Sequence, residues 1–167
     1  GTNQTEASNN VLIGQGAGEA ITTGGDNIFI GTASGDGHDA ETNNIGIGKA
    51  ALGGSIAGGE YNVAIGNYSQ DILTSGDENV SLGYHSMGGV TTGKQNVAIG
   101  YTAMQGLTTG DDNIAIGRTA MRNGVTTGDS NIAIGGEAGD NITGASGIIA
   151  IGHRAGDGLT TGGGGIH

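Results

Sequence analysis

The 167 residues include 39 glycines and 16 acids against five Lys plus Arg, a formal charge of −11, with no Pro, Cys or Trp. Five cations cannot make the basic stripe that nucleic acid or an anionic membrane surface requires, and the missing thiols exclude disulfides and thiolate metal sites. No apolar run approaches the ~20 residues of a membrane helix, and there is no Gly-x-y period of the collagen kind.

The chain opens at Gly1 without Met and reads as a piece of something longer, with residues 1–9 as a lead-in. From Asn10 it repeats itself. Units begin at Asn10, Asn27, Asn44, Asn62, Asn79, Asn96, Asn113, Asn131 and Ile148, every 17 or 18 residues, and run to about residue 164. Residues 165–167 are left as a tail. The first residue of a unit is position zero. Position one is Val or Ile in all nine units, position three is aliphatic, position four is Gly and position seven is Ala or Ser. Positions one and three share one face of a strand. Position two, on the other face, is mostly small. The Gly after the strand permits a turn or a close backbone approach. A second aliphatic follows at Ile21, Ile56, Leu73, Val90, Leu107, Val125, Ile142 and Leu159, and it usually opens a Thr-Thr-Gly phrase. This predicts a second short strand in each unit. The two 18-residue units absorb their extra residue before that aliphatic, in a loop.

The expected fold is therefore all-β: a parallel β-roll of about nine coils. Like residues would stack above like at ~4.8 Å, a rod roughly 40 Å long. A unit has few large apolar side chains, so one chain would bury little. Burying the Val/Ile stripe calls for identical chains around one axis. Val63, Ile65, Val80, Leu82, Val97, Ile99, Ile114, Ile116, Ile132 and Ile134 are the expected trimer core.

Along the chain, the first departure is Ser34 to Thr42, where the second aliphatic and Thr-Thr-Gly are missing. Asp36, His38 and Asp39 there could hold a cation, although a plain acidic loop is the favoured reading. Position five is the most varied column, and a varied column in a monotonous repeat belongs on an outer rim. With position six it supplies Tyr68, Tyr84, His85, Tyr101 and Arg118, candidates for receptor contact weighed against a solvated surface. Met87, Met104 and Met121 share one offset and read as subunit-interface packing. Asp26, Asp77, Asp111, Asp112, Asp129 and Asp140 fall at or near turns. Stacked carboxylates suit Ca²⁺, but Asp is also a turn residue in its own right. Gly14-Gln15-Gly16 lacks the strand–helix setting of a dinucleotide fingerprint. The Thr pairs are adjacent, so they do not project from one strand face as an ice-binding array needs. No catalytic arrangement or cofactor motif stands out.

Asn-Val-Ala-Ile-Gly-x-x-Ala followed by a Gly turn resembles the head repeats of YadA-like trimeric autotransporter adhesins. The longer unit, with Ala-Met and Leu-Thr-Thr-Gly, is more similar to repeats of bacteriophage tail fibres and related bacterial fibre proteins. The resemblance implies a homotrimer of β-rolls with the Val and Ile positions in its core. It implies a non-enzymatic, extracellular attachment segment of a virus tail fibre or bacterial surface, whose partners are its own copies and a cell-surface glycan or protein. A structural spacer and a monomeric ligand- or ice-binding solenoid remain as alternatives.

Overall fold

A computed structural model describes residues 6–54, 58–106, 109–123, 127–159 and 163–166. The chain is a parallel β-solenoid. Three-residue strands β1 (Val11–Ile13), β2 (Ile28–Ile30), β3 (Ile45–Ile47), β4 (Val63–Ile65), β5 (Val80–Leu82), β6 (Val97–Ile99), β7 (Ile114–Ile116) and β8 (Ile132–Ile134) are followed by β9 (Ser146–Ile151) and β10 (Gly163–Ile166). They form one parallel sheet in sequence order. The register joins position one to position one throughout, from Val11 opposite Ile28 to Ile132 opposite Ile149. Among the described residues there is no helix.

Position four shows why the repeat tolerates no other residue there. Its nine glycines have φ between +129° and +141°, a region that residues with a Cβ scarcely enter. A Cβ on Gly31, Gly66 or Gly100 would lie 2.3, 2.3 or 2.4 Å from the carbonyl oxygen of the same Gly one coil on. The corner is therefore closed by backbone packed on backbone.

The interior lies behind the strands. Position two points inward and is buried from Phe29 to Ala150, as is position seven from Ala17 to Ala138. Position eight joins them, with Leu52, Gln70, Met87, Met104 and Met121 fully or almost fully buried. The methionines thus pack inside their own chain, not between subunits as the sequence had suggested. Positions two and eight share one volume. Where position two is large, as Leu12 or Phe29, position eight is Gly18 or Gly35. A Cβ on those glycines would come within 2.6 Å of Leu12 Cδ2 and 2.4 Å of the Phe29 ring. Where position two is Gly46, Ser81, Ala98 or Ala115, position eight is Leu52 or Met. From the first coil to Met121 this is close packing by exchange of bulk between the two positions; at Ala133 with Gly139 both are small, and Ile142 Cδ1 comes within 2.7 Å of where a Cβ on Gly139 would lie.

The second aliphatic does enter the interior: Ile21, Leu73, Val90 and Ile142 are fully buried. It does not open a second strand, which corrects the expected unit. Its backbone runs through turns, with Thr74 N–H donating to Thr91 O at 2.9 Å. Ile56, Leu107 and Val125 lie outside the described residues.

Position zero carries an asparagine ladder. Each Asn Oδ1 accepts the backbone N–H of position zero in the next coil at 2.9–3.0 Å, from Asn10 and Asn27 through to Asn131 and Ile148. Each Nδ2 donates to a backbone carbonyl near the end of its own coil at 2.8–3.0 Å, as Asn96 does to Gly110 and Asn131 to Ala145. Asn27 to Asn131 are fully buried, and the ladder satisfies backbone groups that water cannot reach. At Ile148 no side-chain amide continues it. There the strand lengthens to six residues, and β10 pairs across from Ser146 to Ile149. The pairing thus reaches beyond residue 164. At the other end, Ser8 accepts a hydrogen bond from Asp26 N–H and Asn9 Nδ2 donates to Asp26 Oδ1, so the lead-in already stacks on the first coil.

Candidate functional site

Positions five and six follow the Gly corner and project from the side of the rod. The backbone at position six is left-handed, with φ of 60°, 53° and 49° at Tyr68, His85 and Thr102. Tyr84 and Tyr101 occupy position five of adjacent coils, so their rings stack at 5.4 Å with 11° between planes. Tyr68 meets Tyr84 edge-on at 6.0 Å. The His85 ring lies 6.0 Å from Tyr84 and 6.3 Å from Tyr68. Lys49 Nζ stands 5.4 Å from the Tyr68 centroid. The four rings expected to gather do gather. Arg118 is committed elsewhere, its Nη2 2.7 Å from Glu137 Oε1, with Arg154 Nε on the other oxygen at 3.2 Å.

Position nine completes the cluster, and the sequence reading passed over it. Gly88 leaves the space that the His85 ring fills: a Cβ there would fall 1.9 Å from His85 Nδ1. Asp71 and Gln105, at position nine of the two flanking coils, hold the ring from either side. Asp71 Oδ2 is 3.9 Å from Nε2, and Gln105 Nε2 is 3.3 Å from Nδ1. Burial raises the Asp71 carboxyl above its usual range, against the pull of His85. The signal was available in the column itself, where a lone Gly separates Asp71 from Gln105 directly beside the histidine.

Three of the acidic turns are tied into the stack. Asp77, Asp111 and Asp129 each accept a backbone N–H from the preceding coil, at Glu60, Lys94 and Asp111, at 2.7–3.1 Å. Asp77 also holds Lys94 Nζ at 2.6 Å. These carboxylates act as turn caps.

Comparison with protein-family models, with curated proteins and with solved structures finds no match. The chain's chemistry must therefore be read from its own residues.

Asp36, His38 and Asp39 do not form a cation site. His38 takes the interior slot that Ile21, Leu73, Val90 and Ile142 fill in other coils. It is fully buried against Phe29, with ring centroids 4.8 Å apart. Asp39 accepts a hydrogen bond from the Thr22 hydroxyl, pointing to a neighbouring coil. Among the described residues no three His, Cys, Asp or Glu side chains are placed to share a metal ion. A polar residue in a Gly- and Asp-rich stretch looks like loop, whereas the stacking carries His38 inside.

Burial pushes the His38 imidazole down to about 4 from its ordinary 6.5, against the opposing field of Glu41. The unfolded chain then binds this proton before the folded one does. The stability given by the neutral ring is complete above about pH 6.5 and is lost as pH falls toward 4, on the order of 3 kcal/mol across that window. His38→Leu is expected to remove this slope. Urea unfolding at pH 7 and pH 4.5 checks it. Equal pH dependence in parent and variant would mean that the ring takes up its proton without penalty.

Proposed function

We propose that this chain is a rigid, non-catalytic segment of a trimeric extracellular attachment fibre, carried by a virus tail or a bacterial surface. The observation that carries this reading is the outer face of the sheet. None of the eighteen side chains at positions one and three is buried, and Val11, Ile13, Ile65, Val80, Leu82 and Ile151 are exposed outright. A continuous double column of Val, Ile and Leu along the whole rod is more contiguous apolar surface than a solitary soluble chain presents without use. The strands keep one register from coil to coil, so identical copies can set these columns against one another along a common axis. The resemblance of the repeat to those of adhesin heads and tail fibres supports three copies. The outward ring cluster supports attachment over a bare spacer, and threefold display would let weak contacts add through avidity.

Light scattering on the purified chain tests the assembly. A mass near three times the 16.2 kDa of one chain is expected. A stable, folded monomer would favour the solitary solenoid instead. Ile99→Asp sharpens the test. In one chain Ile99 is only partly buried, so the substitution should leave the strands intact. In a trimer it sets three carboxylates around a dry axis, a burial that costs several kcal/mol. The expected result is a monomer with unchanged far-ultraviolet dichroism. A trimer of undiminished melting temperature would place the interface on another face.

A further inference from the structure

We infer that the cluster of Tyr68, Tyr84, His85 and Tyr101 binds an extended oligosaccharide laid along the rod. This rests on the attachment reading above and names the ligand class.

Three features point to a sugar chain. The first is the polar equipment. The His85 ring and the Asp71 carboxylate that faces it keep 28% and 20% of their side-chain surface exposed. Tyr84 and Tyr101, whose rings lie alongside, carry phenol hydroxyls. Together these groups form the mixed donor and acceptor set that vicinal hydroxyls satisfy. The second is the geometry of the rings. Tyr84 and Tyr101 stack through one face each, which leaves edges, phenol hydroxyls and the far face of Tyr101, and they are 45% and 54% exposed. These rungs recur with the coil spacing of about 4.8 Å, close to the length of one pyranose unit in an extended chain. Two successive sugars would then meet the Tyr84 and Tyr101 rungs, with Tyr68 at the end. The third is size. A protein partner needs roughly 800 Å² on each side. The cluster is two columns wide and three coils long, only about 10 Å along the axis.

The test uses the full chain on an array of immobilised oligosaccharides. The array carries neutral gluco- and manno-oligosaccharides and acidic hyaluronan and polysialic fragments, each at several lengths. Adhesion to whole cells is measured in parallel. Three of the four tyrosines lie in the cluster and there is no Trp, so tyrosine fluorescence reports any titration directly. Binding that rises with length over the first few sugars and then levels is expected. Tyr84→Ser with Tyr101→Ser should weaken it about ten-fold or more, with the melting temperature nearly unchanged because the rings are at the surface. Gly88→Ala, which displaces His85 while leaving the tyrosines, should weaken it as well. Array binding that both variants retain in full would overturn the site. Cell adhesion with an empty array would overturn the saccharide and leave the attachment reading standing. Silence in both assays would overturn the two together.

Discussion

Asn96→Ala is expected to destabilise the chain by about 3–5 kcal/mol and to lower Tm by roughly 10 °C. The side chain is fully buried and works in both directions. Its Oδ1 accepts Asn113 N–H at 2.9 Å and Asn113 Nδ2 at 3.2 Å. Its Nδ2 donates to Gly110 O at 2.9 Å and Asn79 Oδ1 at 3.1 Å. Alanine leaves a backbone donor and a backbone carbonyl without partners where water has no access, at roughly 1–3 kcal/mol for each. The damage is also shared with the coils on either side, because a stack of this kind draws its stability from nearest-neighbour interfaces. Calorimetry and urea titration of the variant beside the parent provide the measurement. A shift under one or two degrees would mean that the ladder is ornamental.

Gly100→Ala should be worse still, about 4 kcal/mol or more, and enough to prevent recovery of folded protein. The backbone at φ +136° holds no ordinary side chain. The new Cβ would lie 2.4 Å from Gly117 O and 2.7 Å from its carbonyl carbon. Both neighbours are backbone, so no rotamer change relieves the overlap. Relief requires parting these two coils, which breaks Gly117 N–H to Ile99 O at 2.8 Å and Thr119 N–H to Tyr101 O at 2.9 Å. Gly136→Ala is the control. It sits one position further on, in another coil, where the nearest atom to a new Cβ is His153 Nδ1 at 3.5 Å. Equal melting of both variants would show that position four is not the constraint.

Much of this fold is visible in the order of the residues, because a stack turns sequence columns into spatial ones. The Val and Ile columns, the invariant Gly and the gathering of Tyr68, Tyr84, His85 and Tyr101 all follow from aligning the units. The failures have a common cause. Asn at position zero is a plausible turn residue by local rules, and only the next coil makes it a rung. Thr-Thr reads as strand by propensity, yet the second aliphatic needs only to point inward, and turns achieve that. The Met column looks like interface packing and His38 like loop because neither position shows its interior neighbours in the sequence. Both columns line the interior, where Phe29 with Gly35 and Ala98 with Met104 share one volume in opposite proportions. The seat under His85 required three residues from three coils to be considered together.

The exchange of bulk between positions two and eight also governs how such a rod can change length. In the central coils the pairs Ser81 with Met87, Ala98 with Met104 and Ala115 with Met121 are near equivalents. Excising residues 96–112 would bring Asn113 onto Asn79 and Ile114 onto Val80 with every rung restored. Toward the first coils the bulk crosses from position two at Phe29 to position eight at Leu52, so those coils are not interchangeable. Length is therefore quantised in single coils, and the quanta can be added only where neighbours already agree. Duplicating a central coil copies its outward side chain onto a rung one spacing away. A surface group such as a tyrosine is then doubled and stacked in the same step that lengthens the rod.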